Sequence, residues 1–180
     1  IPVLIMTDAI DQFWLPMIGS FKDKKFTSIT QGQINLDDLD KKNKDKKSEN
    51  KDQKEKQDKE FVDLIAQMKV VLGEQVKDIR LSSKLTDSPV CLVADDGDMD
   101  IAMEQLMAQR DTNYKGAPRI LEINGDHSLI KNMKSLLSKK ENNDLVSDAG
   151  TLLFEQARLL EGKMPADPAQ FSKIMNQFLL

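Results

Sequence analysis

The residues best suited to chemistry in this sequence are its single histidine, His127, and its single cysteine, Cys91. A histidine titrates near neutral pH and can transfer a proton, but this one has no second His or nearby Cys with which to form a metal site. His127 directly precedes an apolar helical pattern, which favours local hydrogen bonding at a helix start. Cys91 lies in the stretch SPVCLVA, which indicates a small core residue rather than a reactive thiolate. We therefore assign no catalytic residue.

A group of aspartates superficially resembles a calcium-binding loop. The group comprises Asp95, Asp96, Asp98 and Asp100. Such a loop requires a glutamate at its twelfth position, where this sequence has Leu106 or Met107, depending on where the loop is started. The sequence also has no glycine-rich phosphate-binding loop. We expect no metal and no cofactor in this chain, and interpret the aspartates as favourable negative charge at a helix start.

The stretch GDMDIAMEQLMAQR, Gly97 to Arg110, has methionine and leucine at helical spacing. At 100° per residue its four largest apolar side chains fall within about a quarter of the helix circumference. They are Met99, Met103, Leu106 and Met107. Spacing alone favours core packing, because apolar stripes usually face a core. The alternative is a partner-binding face, because flexible methionine suits surfaces that accept several partners.

Two adjacent aromatic residues, Phe13 and Trp14, lie in the stretch TDAIDQFWLP. Thr7 or Asp8 can serve as the N-cap of a helix there, and the preceding run IPVLIM is typical of a buried strand. Adjacent aromatics are commonly shared between core and rim, but an exposed tryptophan is also a frequent binding anchor. The sequence leaves both interpretations open.

The composition limits the possible partners. The 180 residues are 39% hydrophobic and 31% charged, with a net charge of −4. An acidic balance gives no general attraction to nucleic acid or to anionic membranes, and no apolar run approaches the ~20 residues of a membrane helix. A single cysteine excludes an internal disulfide and fits a reducing compartment. Because the chain begins within an apolar run and without methionine, we expect it to be a piece of a longer protein.

Residues 37–60 form a highly charged segment. They contain nine lysines, nine acidic residues and one aliphatic residue, Leu39. Such a segment cannot bury enough surface to offset its ordering entropy. We predict either a linker or a solvated helix held by ion pairs four residues apart. We accordingly divide the chain into residues 1–36, a linker of residues 37–60, and residues 61–180.

Helical and strand patterns alternate after residue 60. FVDLIAQMKVVLG has apolar residues at helical spacing, and VKDIRLS, SPVCLVA and RILEIN are typical of short strands. NGDHSLIKNMKSLL indicates a turn into a helix with Asp126 as its N-cap. The predicted fold class is α/β (α+β), a small mixed sheet with packed helices.

Two amphipathic helices end the chain, and the second is preceded by Asp167 as N-cap and Pro168 at its first position. Two such helices bury little surface alone, whereas pairing with a second copy makes a four-helix bundle. We therefore predict a C-terminal helical dimerisation bundle. Its predicted interface residues are Leu152, Leu153, Gln156, Leu160, Phe171, Ile174, Met175 and Phe178.

Four blocks of this sequence, in order, resemble the ninety-kilodalton heat-shock chaperone family. VLIMTDAIDQFWLPMIGSFKDKKFTSIT resembles the end of the family's middle domain, while RLSSKLTDSPVCLVADDGDM and ILEINGDHSLIKNM resemble its C-terminal domain. DPAQFSKIMNQFLL is similar to the terminal helix of the bacterial branch, high-temperature protein G (HtpG). The resemblance covers nearly the whole chain apart from the lysine-rich segment.

This resemblance implies a homodimeric, ATP-driven cytoplasmic chaperone that binds non-native proteins, its clients, and neither nucleic acid nor membranes. ATP and Mg²⁺ would bind an N-terminal domain outside this chain, so the chain itself would not hydrolyse ATP. Residues 1–36 would end the middle domain, and residues 61–180 would form the dimerisation domain. The implied client contacts are Phe13, Trp14, Met99, Met103, Leu106 and Met107. The alternative is a constitutive oligomeric scaffold or adaptor, with the methionine helix docked in a fixed interface.

Overall fold

The computed structural model describes residues 3–8, 10–32, 47–110 and 116–179. The chain forms two compact units, one of residues 1–41 and 93–117 and one of residues 42–92 and 118–180. Helices and short strands occur together in both units, which confirms the predicted α/β class.

Six α-helices and five strands lie in the described residues. The helices are α1 Asp11–Ile18, α2 Lys47–Leu72, α3 Ile101–Arg110, α4 Ser128–Leu137, α5 Asn143–Leu160 and α6 Pro168–Phe178. The strands are β1 Ser20–Phe21, β2 Lys24–Lys25, β3 Val76–Leu81, β4 Val90–Val93 and β5 Arg119–Ile123. Short 3₁₀ turns follow α2 and precede α5.

The first unit begins differently from the sequence prediction. In the described part of IPVLIM, residues 3–6 form no strand, and Val3, Leu4 and Ile5 are exposed. The strand prediction was wrong because an apolar run becomes a strand only where a neighbouring strand takes its backbone hydrogen bonds. The predicted caps were also wrong, since Ile10 occupies the N-cap position of α1 and makes no side-chain cap.

A tight hairpin follows α1. Gly19, with φ +64°, ends the helix and leads into antiparallel β1 and β2. The two residues between the strands, Lys22 and Asp23, both have positive φ. Such a turn matches the natural twist of a two-stranded hairpin.

The second unit is built on a three-stranded sheet in the order β3–β5–β4, with β3 parallel to β5. All five residues of the central strand β5 are buried. The predicted apolar face of α2 is buried or half-buried, and this helix packs against β3, α4 and α5. Helical spacing thus identified the core face, which consists of Phe61, Leu64, Ile65, Met68, Val71 and Leu72.

The charged segment is helical from Lys47 onward, which agrees with the helical alternative, while the predicted ion pairs stay a prediction. α2 begins at Lys47 and continues without a break past residue 60, while residues 33–46 lie outside the described residues. The proposed boundaries at residues 36 and 60 therefore stay predictions.

The N-cap of α4 is His127 rather than Asp126. The Nδ1 atom of His127 accepts a hydrogen bond from the backbone N–H of Leu129 at 3.1 Å. Asp126 lies one residue earlier and pairs instead with Lys131, 3.2 Å away. His127 therefore has the structural role that its position before an apolar helix indicated.

A buried carboxylate lies in the middle of the sheet. Glu122 on β5 accepts hydrogen bonds from Arg80 Nη2 at 2.9 Å and from Ser82 Oγ at 3.0 Å, and Lys84 Nζ lies 3.3 Å away. Because this carboxylate has lost nearly all contact with solvent, these donors replace its hydration. They also attach the connection between β3 and β4 to the central strand.

Candidate functional site

The exposed face of α1 carries large apolar side chains. Phe13 is 40% exposed and Trp14 36%, and Ile10 and Met17 are more exposed still. The indole Nε1–H of Trp14 donates to Asp11 Oδ1 at 2.8 Å, which restrains the ring while much of it stays in solvent. Both predicted aromatic residues are therefore accessible on the first unit.

The methionine segment is also accessible, but Met99 does not belong to the helix. α3 begins at Ile101, so Met99 lies in the connection that precedes it, and the helix extends less far towards the N-terminus than predicted. Met107 is 39% exposed, and Met103 and Leu106 are half-buried. The stripe is thus neither a fully buried core face nor fully solvated.

A buried polar group that the sequence pattern did not indicate also holds α3. Glu104 is buried, and its Oε1 accepts the backbone N–H of Ala117 at 2.7 Å. Gly116 lies against the same carboxylate, and a Cβ there would come within 2.4 Å of Oε1. No local pattern distinguishes this glutamate from an exposed one, because its partner is thirteen residues away.

A second apolar surface lies on the last two helices, in the second unit. Leu153 and Ile174 are buried within the chain itself, and α5 packs against α6 in a single protomer. Leu152 and Phe171 are half-buried. The remaining predicted interface residues are exposed: Gln156, Leu160, Met175 and Phe178.

Three further exposed apolar residues extend this second surface. Leu159, Met164 and Leu179 were not among the predicted interface residues. Leu159 directly precedes Leu160, which is 77% exposed, and such a leucine pair at a helix end was the available sequence signal. The apolar surface of α5 and α6 therefore includes the turn between the two helices.

The turn between α5 and α6 is fixed by a buried carboxylate. Glu155 Oε1 accepts the backbone N–H of Ala166 at 3.2 Å and is paired with Arg158. Asp167 then caps α6, as predicted, by accepting the backbone N–H groups of Ala169 and Gln170. These bonds fix the start of α6 relative to α5, while Leu160, Met175 and Phe178 stay exposed.

The residues considered for catalysis or metal binding do not form a reactive site. Burial, reinforced by the nearby Glu122 carboxylate, raises the pKa of the Cys91 thiol to about 11, so the thiol is protonated at neutral pH. In the described part of the chain, no three His, Cys, Asp or Glu side chains lie close enough to share a metal ion. Within the same residues, no helix is both long and apolar enough to span a bilayer.

An open cleft of about 270 Å³ lies beside Phe61 and the start of α4. The lysines that line it are in ion pairs, Lys134 with Glu60 at 2.6 Å and Lys131 with Asp126 at 3.2 Å. Lys134 Nζ is also 4.9 Å from the centre of the Phe61 ring. The contacts of Lys134 join α4 to α2, and the two ion pairs account for the lysine charges in the cleft.

The described residues thus include exposed apolar side chains on α1 in the first unit and on α5 and α6 in the second. The Hsp90 protein family model matches residues 1–180. The chain therefore belongs to the Hsp90 family, which confirms the resemblance of its four sequence blocks.

Individual relatives agree with this assignment. The chaperone protein HtpG of Roseobacter denitrificans is 42% identical over 173 residues, which cover 95% of this chain and 27% of the relative. HtpG of Paramagnetospirillum magneticum is 38% identical over 97% of this chain and 28% of its own length. HtpG of Wolbachia pipientis is 37% identical over 98% of this chain and 27% of its own length. The chain thus spans little more than a quarter of the length of these curated relatives.

Proposed function

We propose that this chain is the part of a cytoplasmic HtpG-type chaperone that joins two protomers and supplies part of the surface for non-native clients. Its role is binding rather than catalysis, and ATP with Mg²⁺ acts in another part of the full protein. The observation that carries the proposal is the exposed apolar surface of α5 and α6. It lies on two helices that already pack against each other in the single protomer.

Dimerisation explains this surface physically. Leu160, Met175 and Phe178 remain exposed after the chain has formed its own core, so burying them against a second copy gains hydrophobic free energy. A two-fold interface uses the same patch on both protomers. Two helices from each protomer then form the four-helix bundle predicted from the sequence.

The dimer is tested by replacing Leu160 and Phe178 with glutamate in one variant. Wild-type chain should have twice the 20.4 kDa protomer mass in sedimentation or light scattering across a concentration series. The dissociation constant of the variant dimer should be at least about 100-fold higher, because an unpaired charge buried in an interface costs roughly 3 kcal/mol or more. Both side chains are exposed in the single protomer, so the variant should still fold.

The matched control is Val70→Glu, which changes an exposed apolar residue on α2 of the same unit. It should leave the dimer intact. Ending the chain before α5 is a poorer test, because it removes Val146, Leu153 and Phe154 from the core. A wild-type monomer at every concentration, or an unchanged dimer in the double variant, contradicts the proposed interface.

The client role is assigned to the first unit. Phe13 and Trp14 on α1, and Met99 with Met107 near α3, offer partly exposed aromatic and thioether groups. A chaperone must hold many unrelated apolar segments weakly, and flexible methionine adapts to different shapes. Half-buried Met103 and Leu106 complete the proposed client surface.

Met107→Gln should weaken binding to chemically unfolded proteins about fivefold, since losing apolar contact worth about 1 kcal/mol changes affinity by that factor. Fluorescence anisotropy with two unrelated unfolded proteins measures the effect. The control is Leu129→Gln on α4, because Leu129 is also 39% exposed but lies outside the proposed surface. Equal binding by wild type and both variants rejects the client surface.

The same measurement separates the chaperone from a constitutive scaffold. A scaffold whose α3 is docked in one fixed interface should ignore unrelated unfolded proteins while retaining a single partner. Binding to both unfolded proteins, reduced by Met107→Gln in each case, excludes that alternative.

A further inference from the structure

A short segment of the first unit, Ser28–Gly32, runs alongside the residues that lead into α3. The backbone N–H of Gly32 donates to the Ala94 carbonyl at 2.8 Å, and the N–H of Ala94 donates to the Thr30 carbonyl at 2.9 Å. These bonds form a parallel bridge between two segments more than sixty residues apart in sequence. The bridge places Ser28 and Thr30 near the start of α3.

Two hydroxyl groups meet one carboxylate there. Ser28 Oγ donates to Asp100 Oδ2 at 2.6 Å, and Thr30 Oγ1 donates to the same oxygen at 2.8 Å. Hydrogen bonds to an ionised carboxylate are shorter and stronger than those between neutral groups. We call this arrangement of Ser28, Thr30 and Asp100 the hydroxyl clasp.

Neighbouring contacts hold the two segments in register around the hydroxyl clasp. Gln31 Nε2 donates to the Asp98 carbonyl at 2.7 Å. Gly32 has φ +68°, and a Cβ at this position would lie 1.8 Å from Asp96 Oδ1. The positive φ favours glycine at this position, and the short distance to Asp96 shows how closely the two segments approach.

The position of α3 depends on such polar contacts. A helix of ten residues is marginal on its own, and few of its apolar side chains are buried, Ile101 being the main one. Asp100 anchors its start through the hydroxyl clasp, and Glu104 anchors the following turn through Ala117. Ile101 and Glu104 are buried, whereas Met107 on the same helix is 39% exposed, so these contacts hold α3 while part of its methionine surface stays in solvent.

We propose that Ser28, Thr30 and Asp100 are positioning residues, whose clasp fixes the start of α3 and thereby sets how its methionine side chains are presented to a partner. The consequence for client binding rests on the proposed function, whereas the effect on α3 itself does not. Strengthening or breaking the clasp changes the order of α3 without altering any side chain of the methionine surface.

The direct test is amide hydrogen exchange on the full 180-residue chain. In a Ser28→Ala, Thr30→Val double variant, exchange of the α3 amides should accelerate about tenfold or more, the scale expected when a hydrogen bond to a charged group is lost. Ser28→Asp should act similarly, because it places a second carboxylate beside Asp100. Asp100→Asn keeps an acceptor oxygen without the charge, so its effect should be smaller than that of Asp100→Ala.

Two internal controls make the result specific. Thr27→Val changes an exposed threonine directly before this segment and should leave the exchange of the α3 amides unchanged. None of the variants should change the exchange of the β5 amides in the second unit. Unchanged α3 exchange in the double variant overturns the proposal, and so does equal acceleration in α3 and β5, which would indicate general destabilisation.

Client affinity, measured on the same variants, tests the hydroxyl clasp and the proposed client surface separately. Faster α3 exchange together with weaker binding of unfolded proteins supports both the clasp and the client surface. Faster exchange with unchanged client affinity supports the clasp and rejects the client role of α3.

Discussion

Replacing Glu122 with alanine is expected to lower the free energy of unfolding of the second unit by about 3–5 kcal/mol. The substitution leaves Arg80 and Lys84 beside the sheet without the carboxylate that they contact. Removing a buried carboxylate that contacts two such partly buried cations is costly, because the cations lose a partner that replaced their hydration. Urea unfolding followed by circular dichroism gives the change, provided that the denaturant dependence stays the same.

Two further variants show whether this loss of stability comes from the buried charges or only from shortening a glutamate side chain. Glu74→Ala removes an exposed glutamate from the same unit and should change stability by less than about 0.5 kcal/mol. Adding Arg80→Met and Lys84→Met to Glu122→Ala should recover much of the loss, because apolar replacement of a whole buried ionic group is often neutral or stabilising. If Glu122→Ala costs no more than Glu74→Ala, the buried ionic group contributes little to this fold.

Phe154→Ala is the second substitution with a large expected effect. It should lower the free energy of unfolding by about 3–5 kcal/mol. Phe154 lies on the inner face of α5 and belongs to the hydrophobic core with Phe61, Leu121 and Ile130. Removing its ring loses both the transfer free energy and the contacts that line the resulting cavity. Thermal or urea unfolding measures the change.

Phe154→Ala also links the core to the proposed dimer. Since α5 carries Leu160 on the solvent side and Phe154 on the inner side, a cavity under α5 should weaken dimerisation although no exposed side chain has changed. Leu145→Ala, at a 40% exposed position of the same helix, should cost under about 1 kcal/mol. Equal stability losses in the two variants would show that α5 does not depend on this core contact.

Local sequence patterns determined those elements whose partners are close in sequence or whose periodicity is strong. The apolar spacing of α2 identified its buried face, the short β-rich runs identified β3, β4 and β5, and Asp167 followed by Pro168 located the start of α6. In each case the signal for the element lies within a few residues, as an apolar repeat, a short run of strand-forming residues or a cap. The sequence also indicated the family, because four blocks resembled it in the same order.

Local chemistry alone was ambiguous at the starts of helices. Both Asp126 and His127 can accept a backbone N–H, and the choice of His127 depends on the backbone angles of one turn. Met99 fits the methionine stripe by spacing, yet α3 starts only at Ile101. The run IPVLIM had the composition of a strand but, over its described residues, no strand pairing.

Tertiary structure alone decided which charged and polar side chains became structural. Glu104, Glu122 and Glu155 are glutamates like many others in the sequence, but each is buried and accepts a hydrogen bond from a residue more than ten positions away. Asp100 meets Ser28 across 72 residues, and no periodic pattern encodes such a meeting. The sequence determined the helices, the strands and the family, whereas only the fold brought together the distant donors and acceptors that hold the proposed binding surfaces in place.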